Sequence, residues 1–411
     1  RGLEEKDIDK VIDLDKKWRS LKEEVDFLRS KRNKLSQEIN LGKKSGKSTD
    51  SLLKEAREIP HILEEKEKSM NEIKNQRDYL LREIPNIVDK SVPIGNSTKN
   101  KNLEKFGKIN KFKFSPKDHA DILENLNILD TKKASEVSGS RFYYLKRDLV
   151  KLNYAIINLA MDFLRKKEFI LIQPPYMLRK DVLAGALPLE AFQDNIYKIE
   201  NEDLYLIGTA EHAINAYHFD EVLNIKTLPL RYAGISPCFR KEAGTHGKDT
   251  KGIFRVHQFE KIEQFVFCSP HESWKEFSFI LENTKNLFKQ LEIPFRVVIL
   301  SSQEMGRVAT KTIDLEGWFP SQNEYKELAS CSNCLDYQAR RSNIKFQEKN
   351  DINFVHTLNN TAIATERMIS CLVENHQQED GSIKIPKALW KYTGFKEIKA
   401  KKVKKEKAKR N

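Results

Sequence analysis

The chain has 411 residues, 39% of them apolar and 32% charged, with a formal net charge of +13. That length allows two or three domains with at least one large core, and no run of about 18 apolar residues occurs, so no membrane span is expected. Five cysteines scattered at Cys238, Cys268, Cys331, Cys334 and Cys371 point to reduced thiols in a cytoplasmic protein; Cys331-Ser-Asn-Cys334 has no second CxxC or HxxxH to complete a zinc site.

Taken in chain order, apolar residues first recur at Val11, Leu14, Trp18, Leu21, Val25, Leu28, Leu35 and Ile39 in steps of three and four, with Arg32 in one slot. That spacing predicts a long helix with a heptad seam. Residues 41–50, LGKKSGKSTD, break it with two glycines and offer Asp50 as a cap. A second seam runs through Leu52, Ala56, Ile59, Leu63, Met70, Ile73, Leu80 and Ile84, with Lys66 and Arg77 in apolar slots, and stops at Pro85. Pro60 inside it is expected to kink the helix or delay its start. Two seams joined by a short turn predict an antiparallel coiled-coil hairpin over residues 1–88. Its far end is basic: Arg29, Lys31, Arg32, Lys34, Lys43, Lys44 and Lys47 stand against one acid, Glu38. A cationic rod tip suits RNA phosphates; a coiled coil that docks another protein is the alternative.

Residues 89–150 are turn-rich (VPIGNSTKNKN) and read as a connection into a globular domain over 151–395. There a helix over 151–167, strands EFILIQPPYM and DLYLI, a helix EHAINAYHFDEVL, a charged hairpin, a further helix and strands RVVIL and TIDLEGW follow one another. Hairpins outnumber strand-helix crossovers, which predicts an α+β domain on a mainly antiparallel sheet. In the hairpin FRKEAGTHGKDTKGIFRVHQFEKIEQF (239–265), alternation places Arg240 and Glu242 on one side, and Arg255, His257, Phe259, Lys261 and Glu263 on one face of the return strand. If the runs pair, an arginine, two glutamates and an aromatic ring line a single surface. Residues 396–411, KEIKAKKVKKEKAKRN, carry +7 of the net charge and are expected to be disordered.

No GxGxxG follows a strand, and Gly247-Lys248 lacks the rest of a P-loop. A nucleotide site here must be assembled from side chains on a sheet. FRKE with its basic loop and HQFEKIEQF resembles the second signature motif of class II aminoacyl-tRNA synthetases; TLNNTAIATERMISCLVENHQQEDGSIKIPKALWKY (357–392) resembles the third, and the helix-strand unit ending at Pro174-Pro175 the first. With GTAEHAI, LEGWFPSQNEYKELASCSNCLDYQARR and VSGSRFYYLK, the chain resembles seryl-tRNA synthetases over nearly its whole length, coiled-coil arm included.

The resemblance implies activation of L-serine by ATP to seryl-adenylate, transfer of the seryl group to tRNA(Ser), and Mg2+ as cofactor. Arg240 and Arg367 would be the catalytic residues. Arg240 would hold the α-phosphate as charge builds there, and Arg367 would cover adenine and reach the γ-phosphate. Phe259 would stack beneath the base; Glu242 and Val256 would complete the ATP site, and Glu327 and Ser330 would coordinate Mg2+. Serine would be held by Thr209, Glu211, Arg240, Glu263, Asn359 and Thr361, a polar pocket whose groups go unpaired with alanine. Implied partners are tRNA(Ser), with tRNA(Sec) as an alternative acceptor, and a second copy of the chain; neither membrane nor DNA is expected. Two positions depart from the family pattern: Asn360 where Gly is common, and Gly208 where Pro is frequent. Two rival readings are a paralogue that charges a carrier protein, which would lack the arm, and a non-catalytic coiled-coil adaptor, which would lack Arg240 or Arg367. This chain has all three features.

Overall fold

A computed structural model of the chain describes residues 4–188, 193–243 and 251–399. The Gly247-Lys248 loop and the lysine-rich tail from 400 onward lie outside the described residues. Contacts divide the chain into two units, Arg1–Pro85 and Asn86–Asn411.

The first unit is two helices, α1 (Glu5–Lys44) and α2 (Asp50–Glu83). At ~1.5 Å per residue α1 is about 60 Å long. The ion pairs Asp15–Arg77 and Arg29–Glu67, at 2.9 and 2.7 Å, and Lys31–Glu55 fall along α2 as they rise along α1, which makes the pair antiparallel. Val11, Val25, Leu35 and Ile39 of α1, and Ile59 and Leu63 of α2, are buried as the seams predict. The charged residues in apolar slots are accommodated in two ways. Arg77 lays its guanidinium 4.2 Å from the Trp18 ring centre and sends its head to Asp15, whereas Arg32 is exposed. Thr49, not Asp50, is the N-cap residue of α2; Asp50 is the first helical residue, where its charge opposes the helix dipole. Pro60 does not delay the start: α2 begins ten residues before it and runs through it.

The second unit is built on an eight-stranded sheet. Its strands are β1 (Lys101–Phe106), β2 (Ile170–Ile172), β3 (Leu230–Phe239), β4 (Gln258–Cys268), β5 (Phe295–Ile299), β6 (Lys311–Phe319), β7 (Glu324–Leu335) and β8 (His356–Ala364), in the order β1-β5-β6-β7-β8-β4-β3-β2. Every pairing is antiparallel except β2 with β3. This is the α+β architecture expected. Alternation along β4 serves two cores. Ile262, Val266 and Cys268 join the cluster that contains Leu152 and Ile156 of helix α3 (Asp148–Lys166) and Ile280 and Leu287 of α5 (Ser273–Gln290). Phe265 and Phe267 join Ala210 and Ile214 of α4 (Ala210–Tyr217) and Ala339 of α6 (Tyr337–Ser342). The sheet is therefore covered on both faces, and Lys261 and Glu263 share the parity of the second.

Several expectations need correction. Residues 89–150 are not a bare connection: Lys101–Phe106 is an edge strand of the sheet, and Val92, Leu123, Leu126 and Leu149 lie in the main core. Their helices are short, His119–Asn125 and Thr131–Ser138, and are started by Asp118 and Asp130 accepting from the N–H groups of Asp121 and Lys133. The run EFILIQPPYM is two strands, Ile170–Ile172 and Met177–Arg179, because Pro174-Pro175 cannot donate to a ladder. The helix expected over 211–223 stops at Tyr217, and Val222–Asn224 is a strand paired with Lys345–Gln347. Asn360 has its own role: its Nδ2 donates to the Ile280 carbonyl at 2.6 Å and to Thr284 Oγ1 at 3.0 Å, tying β8 to α5. All five cysteines are buried and free of disulfides. Among the described residues no helix is long and apolar enough to cross a membrane.

Candidate active site

A cavity of about 360 Å³ opens on the sheet face that carries Lys261 and Glu263. Its floor comes from four neighbouring strands whose inward residues pair across the ladder: Asp314 opposite Ser330, Ser332 opposite Asn359, and Thr361 opposite Glu263. Two register slips decide what else faces inward. Strict alternation would send Glu327 and Ser330 to opposite faces. Beyond the Leu315–Ala329 pair, however, Glu316 pairs with Glu327 and Leu328 is the extra residue, so Glu327 and Ser330 both line the cavity. A second slip at Ala362 does the same for Thr361 and Ala364.

At one end, Thr209 caps α4 by accepting from the Glu211 N–H at 3.3 Å. Glu211 Oε1 accepts from Gln338 Nε2 at 2.7 Å and from Asn359 Nδ2 at 3.2 Å. Buried Glu263 accepts from Thr361 Oγ1 at 3.2 Å and pairs with Lys261 at 2.6 Å. Burial, followed by the Glu263 charge, pushes the Glu211 carboxyl up to about 7, against the pull of Lys261, Gln338 and Arg240. Neighbouring His212 is driven down to about 3 by burial and by the Arg240 and Lys261 charges, so its imidazole is neutral.

The two arginines, far apart in the chain, line the same cavity. Arg240 Nε donates to the Gly208 carbonyl at 3.1 Å, and its guanidinium lies 5.2 Å from the Phe259 ring centre. Arg367, from the first turn of α7 (Thr365–His376), lies 3.2 Å from the Glu327 carboxylate and 5.3 Å from the Phe254 ring centre. Glu242 pairs with Arg255 at 2.8 Å, and Val256 completes this wall. The Arg367 charge holds the Glu327 carboxyl below its usual range despite burial, whereas burial and the Glu327 charge push Asp314 well above it.

All twelve residues expected to bind ATP, serine or metal line this one cavity. The strand assignment behind the hairpin needs adjustment, since β3 ends at Phe239 and β4 begins at Gln258. Arg240, Glu242, Arg255 and His257 therefore lie just beyond the strands, although the Arg240 N–H still reaches the His257 carbonyl at 2.9 Å. The His257 ring packs 5.2 Å from that of Phe142 and is not part of the cavity lining. Residues without an expected role also line it: Asp314, Phe254 and Glu366. Glu366 is pushed up to about 7 by burial and accepts from Tyr143 Oη at 2.5 Å and from the Glu260 N–H at 3.0 Å. The alternation of TIDLEGW could have pointed to Asp314; nothing local pointed to Phe254. The seven arm residues belong to the first unit. Arg29 and Lys31 pair with Glu67 and Glu55, whereas Arg32, Lys34, Lys43, Lys44 and Lys47 are exposed and form no ion pair among the described residues.

Residues 196–376 match the family model described as the tRNA synthetase class II core domain (G, H, P, S and T), which makes the second unit a class II aminoacyl-tRNA synthetase core. Residues 1–88 match the seryl-tRNA synthetase N-terminal domain. The serine–tRNA ligase of Nitrosopumilus maritimus is 48% identical over 391 residues, 94% of this chain and 93% of that one. The crystal structure of seryl-tRNA synthetase from Pyrococcus horikoshii complexed with ATP superposes with a TM-score of 0.88 at 47% identity, covering 96% of this chain and 93% of that one. That of the cytoplasmic serine-tRNA ligase of Naegleria fowleri in complex with AMP gives 0.85 at 38% identity, over 98% and 94%. The chain belongs to the seryl-tRNA synthetase family.

Proposed function

We propose that the cavity joins L-serine to ATP and that the seryl group then passes to tRNA(Ser), in the cytoplasm. A serine carboxylate oxygen attacks the α-phosphorus, the bond to the β-phosphate breaks, and pyrophosphate leaves. A hydroxyl of the terminal tRNA ribose next attacks the acyl carbon and AMP leaves. Both reactants are held, so alignment and charge stabilisation carry the rate and no covalent enzyme intermediate is needed. The observation that carries this reading is the convergence of Arg240 and Arg367 on one cavity with a carboxylate-rich pocket beside it. Arg240 holds the α-phosphate, and Arg367 with Phe254 and Phe259 holds the rest of the nucleotide, with Glu242 and Val256 at its edge. Glu211 and Glu263 receive the substrate ammonium, while Thr209, Asn359 and Thr361 complete the polar pocket.

The residues also fit a divalent cation. Glu327 is held ionised by Arg367, the Ser330 hydroxyl bonds to the Asp314 carboxyl, and Asp314 Oδ1 is buried without a partner. Among the described residues no three His, Cys, Asp or Glu side chains form a metal cage. A small set of hard oxygens matches Mg2+, which takes one or two carboxylates and leaves room for phosphates. When bound, the ion would neutralise phosphate charge; Glu327 and Ser330 would hold it, with Asp314 behind them.

The arm, residues 1–88, binds the tRNA through Arg29, Lys31, Arg32, Lys34, Lys43, Lys44 and Lys47, and residues 151–395 catalyse. Exposed Tyr154, Ile170, Leu171 and Met177 support a homodimer. Serine-dependent ATP–pyrophosphate exchange, with alanine and threonine as controls, tests the chemistry. Exchange with serine alone is expected; exchange of equal rate with alanine refutes it.

A further inference from the structure

Helix α7 carries Arg367 in its first turn and Glu374 two turns later, about 10 Å along the axis. Phe254, whose ring faces Arg367, belongs to a different part of the chain. One buried side chain hydrogen-bonds to both. His119 opens the short helix His119–Asn125, in the segment that sequence alone reads as a connection. Its backbone N–H and its Nδ1 both meet Glu374 Oε1, at 3.1 and 3.3 Å, and its Nε2 accepts from the Ile253 N–H at 3.3 Å. A backbone N–H can only donate, so Nε2 is bare and the ring proton sits on Nδ1, facing Glu374. The other Glu374 oxygen is tied down by the Ser321 N–H at 3.2 Å and Oγ at 2.7 Å. His119 is 6% exposed, and the Glu374 side chain is fully buried. The fit is close as well: Gly252 has φ +73°, and a Cβ there would lie 2.3 Å from His119 Nε2.

We propose that His119 is a positioning residue for ATP: its imidazole fastens the helix bearing Arg367 to the segment bearing Phe254, so that the two close on the nucleotide as one wall. The inference rests on the reading that Arg367 contacts ATP. Buried hydrogen bonds at both ring nitrogens set the separation of the two elements, and a displacement of about 1 Å in such a wall costs up to about a hundredfold in rate or affinity. The serine pocket is on other elements, and the hydrogen bonds of His119 among the described residues go to Glu374 and Ile253 and not to that pocket.

The test is steady-state pyrophosphate exchange with varied ATP and varied serine, together with thermal melting, on the full chain. His119→Leu removes both bonds and is expected to raise KM for ATP on the order of ten- to a hundredfold with KM for serine unchanged. His119→Gln offers one donor and one acceptor and is expected to restore most of the ATP affinity. His119→Asn keeps a donor toward Glu374 but falls short of Ile253; should the Leu variant not fold, the Asn variant is expected to show the same ATP-selective rise. Arg367→Ala, measured in parallel, separates the two levels. An unchanged KM for ATP in Arg367→Ala overturns the reading of the wall. A raised KM there with unchanged KM in the His119 variants, or ATP and serine KM rising together in them, overturns the positioning role.

Discussion

Serine binding is expected to release a proton from Glu211. This carboxyl sits at about 7 rather than at its ordinary 4.5, first because it is buried and then because Glu263 faces it. At about 1.4 kcal/mol per decade, the rise corresponds to roughly 3 kcal/mol in favour of the protonated form; water in the cavity it lines makes that an upper value. The folded chain thus binds a proton that the unfolded chain releases near 4.5, and the stability this gives is lost as pH rises through about 7. A substrate ammonium placed between Glu211 and Glu263 restores the missing cation and pulls the carboxyl back down. The groups facing Glu211 are Glu263, Lys261, Gln338, Asn359 and Arg240, and the released proton passes to the buffer. KM for serine should therefore fall as pH rises from about 6 to about 7.5, by at most tenfold per pH unit. Calorimetry of serine binding in buffers of different ionisation enthalpy should report release approaching one proton near pH 6. Glu211→Gln should flatten the profile and abolish the release. A serine KM independent of pH, or a wild-type slope retained in Glu211→Gln, would refute the reasoning; Glu366, which also titrates near 7, sits on the nucleotide side and should act on KM for ATP instead.

Asp314→Asn keeps the shape of the side chain and replaces its carboxyl with an amide, which cannot ionise beside a bound cation. It should weaken Mn2+ binding, followed by electron paramagnetic resonance with an ATP analogue present, by at least about tenfold, while leaving the melting temperature within a few degrees; unchanged Mn2+ affinity would exclude Asp314 from the site. Gly234→Ala places a Cβ 2.6 Å from Ala210 Cβ and Ile214 Cδ1, so it should lift α4 off β3. We expect a loss of about 1–3 kcal/mol in urea unfolding and a raised KM for serine, since Thr209 and Glu211 ride on that helix. Replacing Lys43, Lys44 and Lys47 by alanine should weaken tRNA charging and flatten its salt dependence, because each lost phosphate contact lowers the slope. Pyrophosphate exchange should stay intact, and equal loss of both activities would remove the arm from RNA binding.

The arm was legible because its seams repeat over ten turns, long enough for two or three charged residues to interrupt them without hiding the period. The hairpin was legible because charge and aromatic residues alternate along it. The functional wall beyond it was not. Glu327 and Ser330 share a surface only through the bulge at Leu328, and no rule of alternation announces a bulge. Phe254 and His119 acquire their places from contacts more than a hundred residues apart in sequence, in segments too short to show a period. Lys101–Phe106 was missed for a related reason: an edge strand with polar residues on both sides carries no hydrophobic pattern. Family resemblance supplied the identity of the site residues, and the register slips explain how those residues come to face one another.

The interior placement of all five thiols has a practical outcome. A maleimide dye offered to the native protein would find no exposed sulfur of its own to attack. A single cysteine introduced at an exposed position of the arm, such as Ser45 between the basic residues of its tip, would therefore take up a fluorophore alone. The wild-type sequence could then serve as its own silent background for watching RNA arrive.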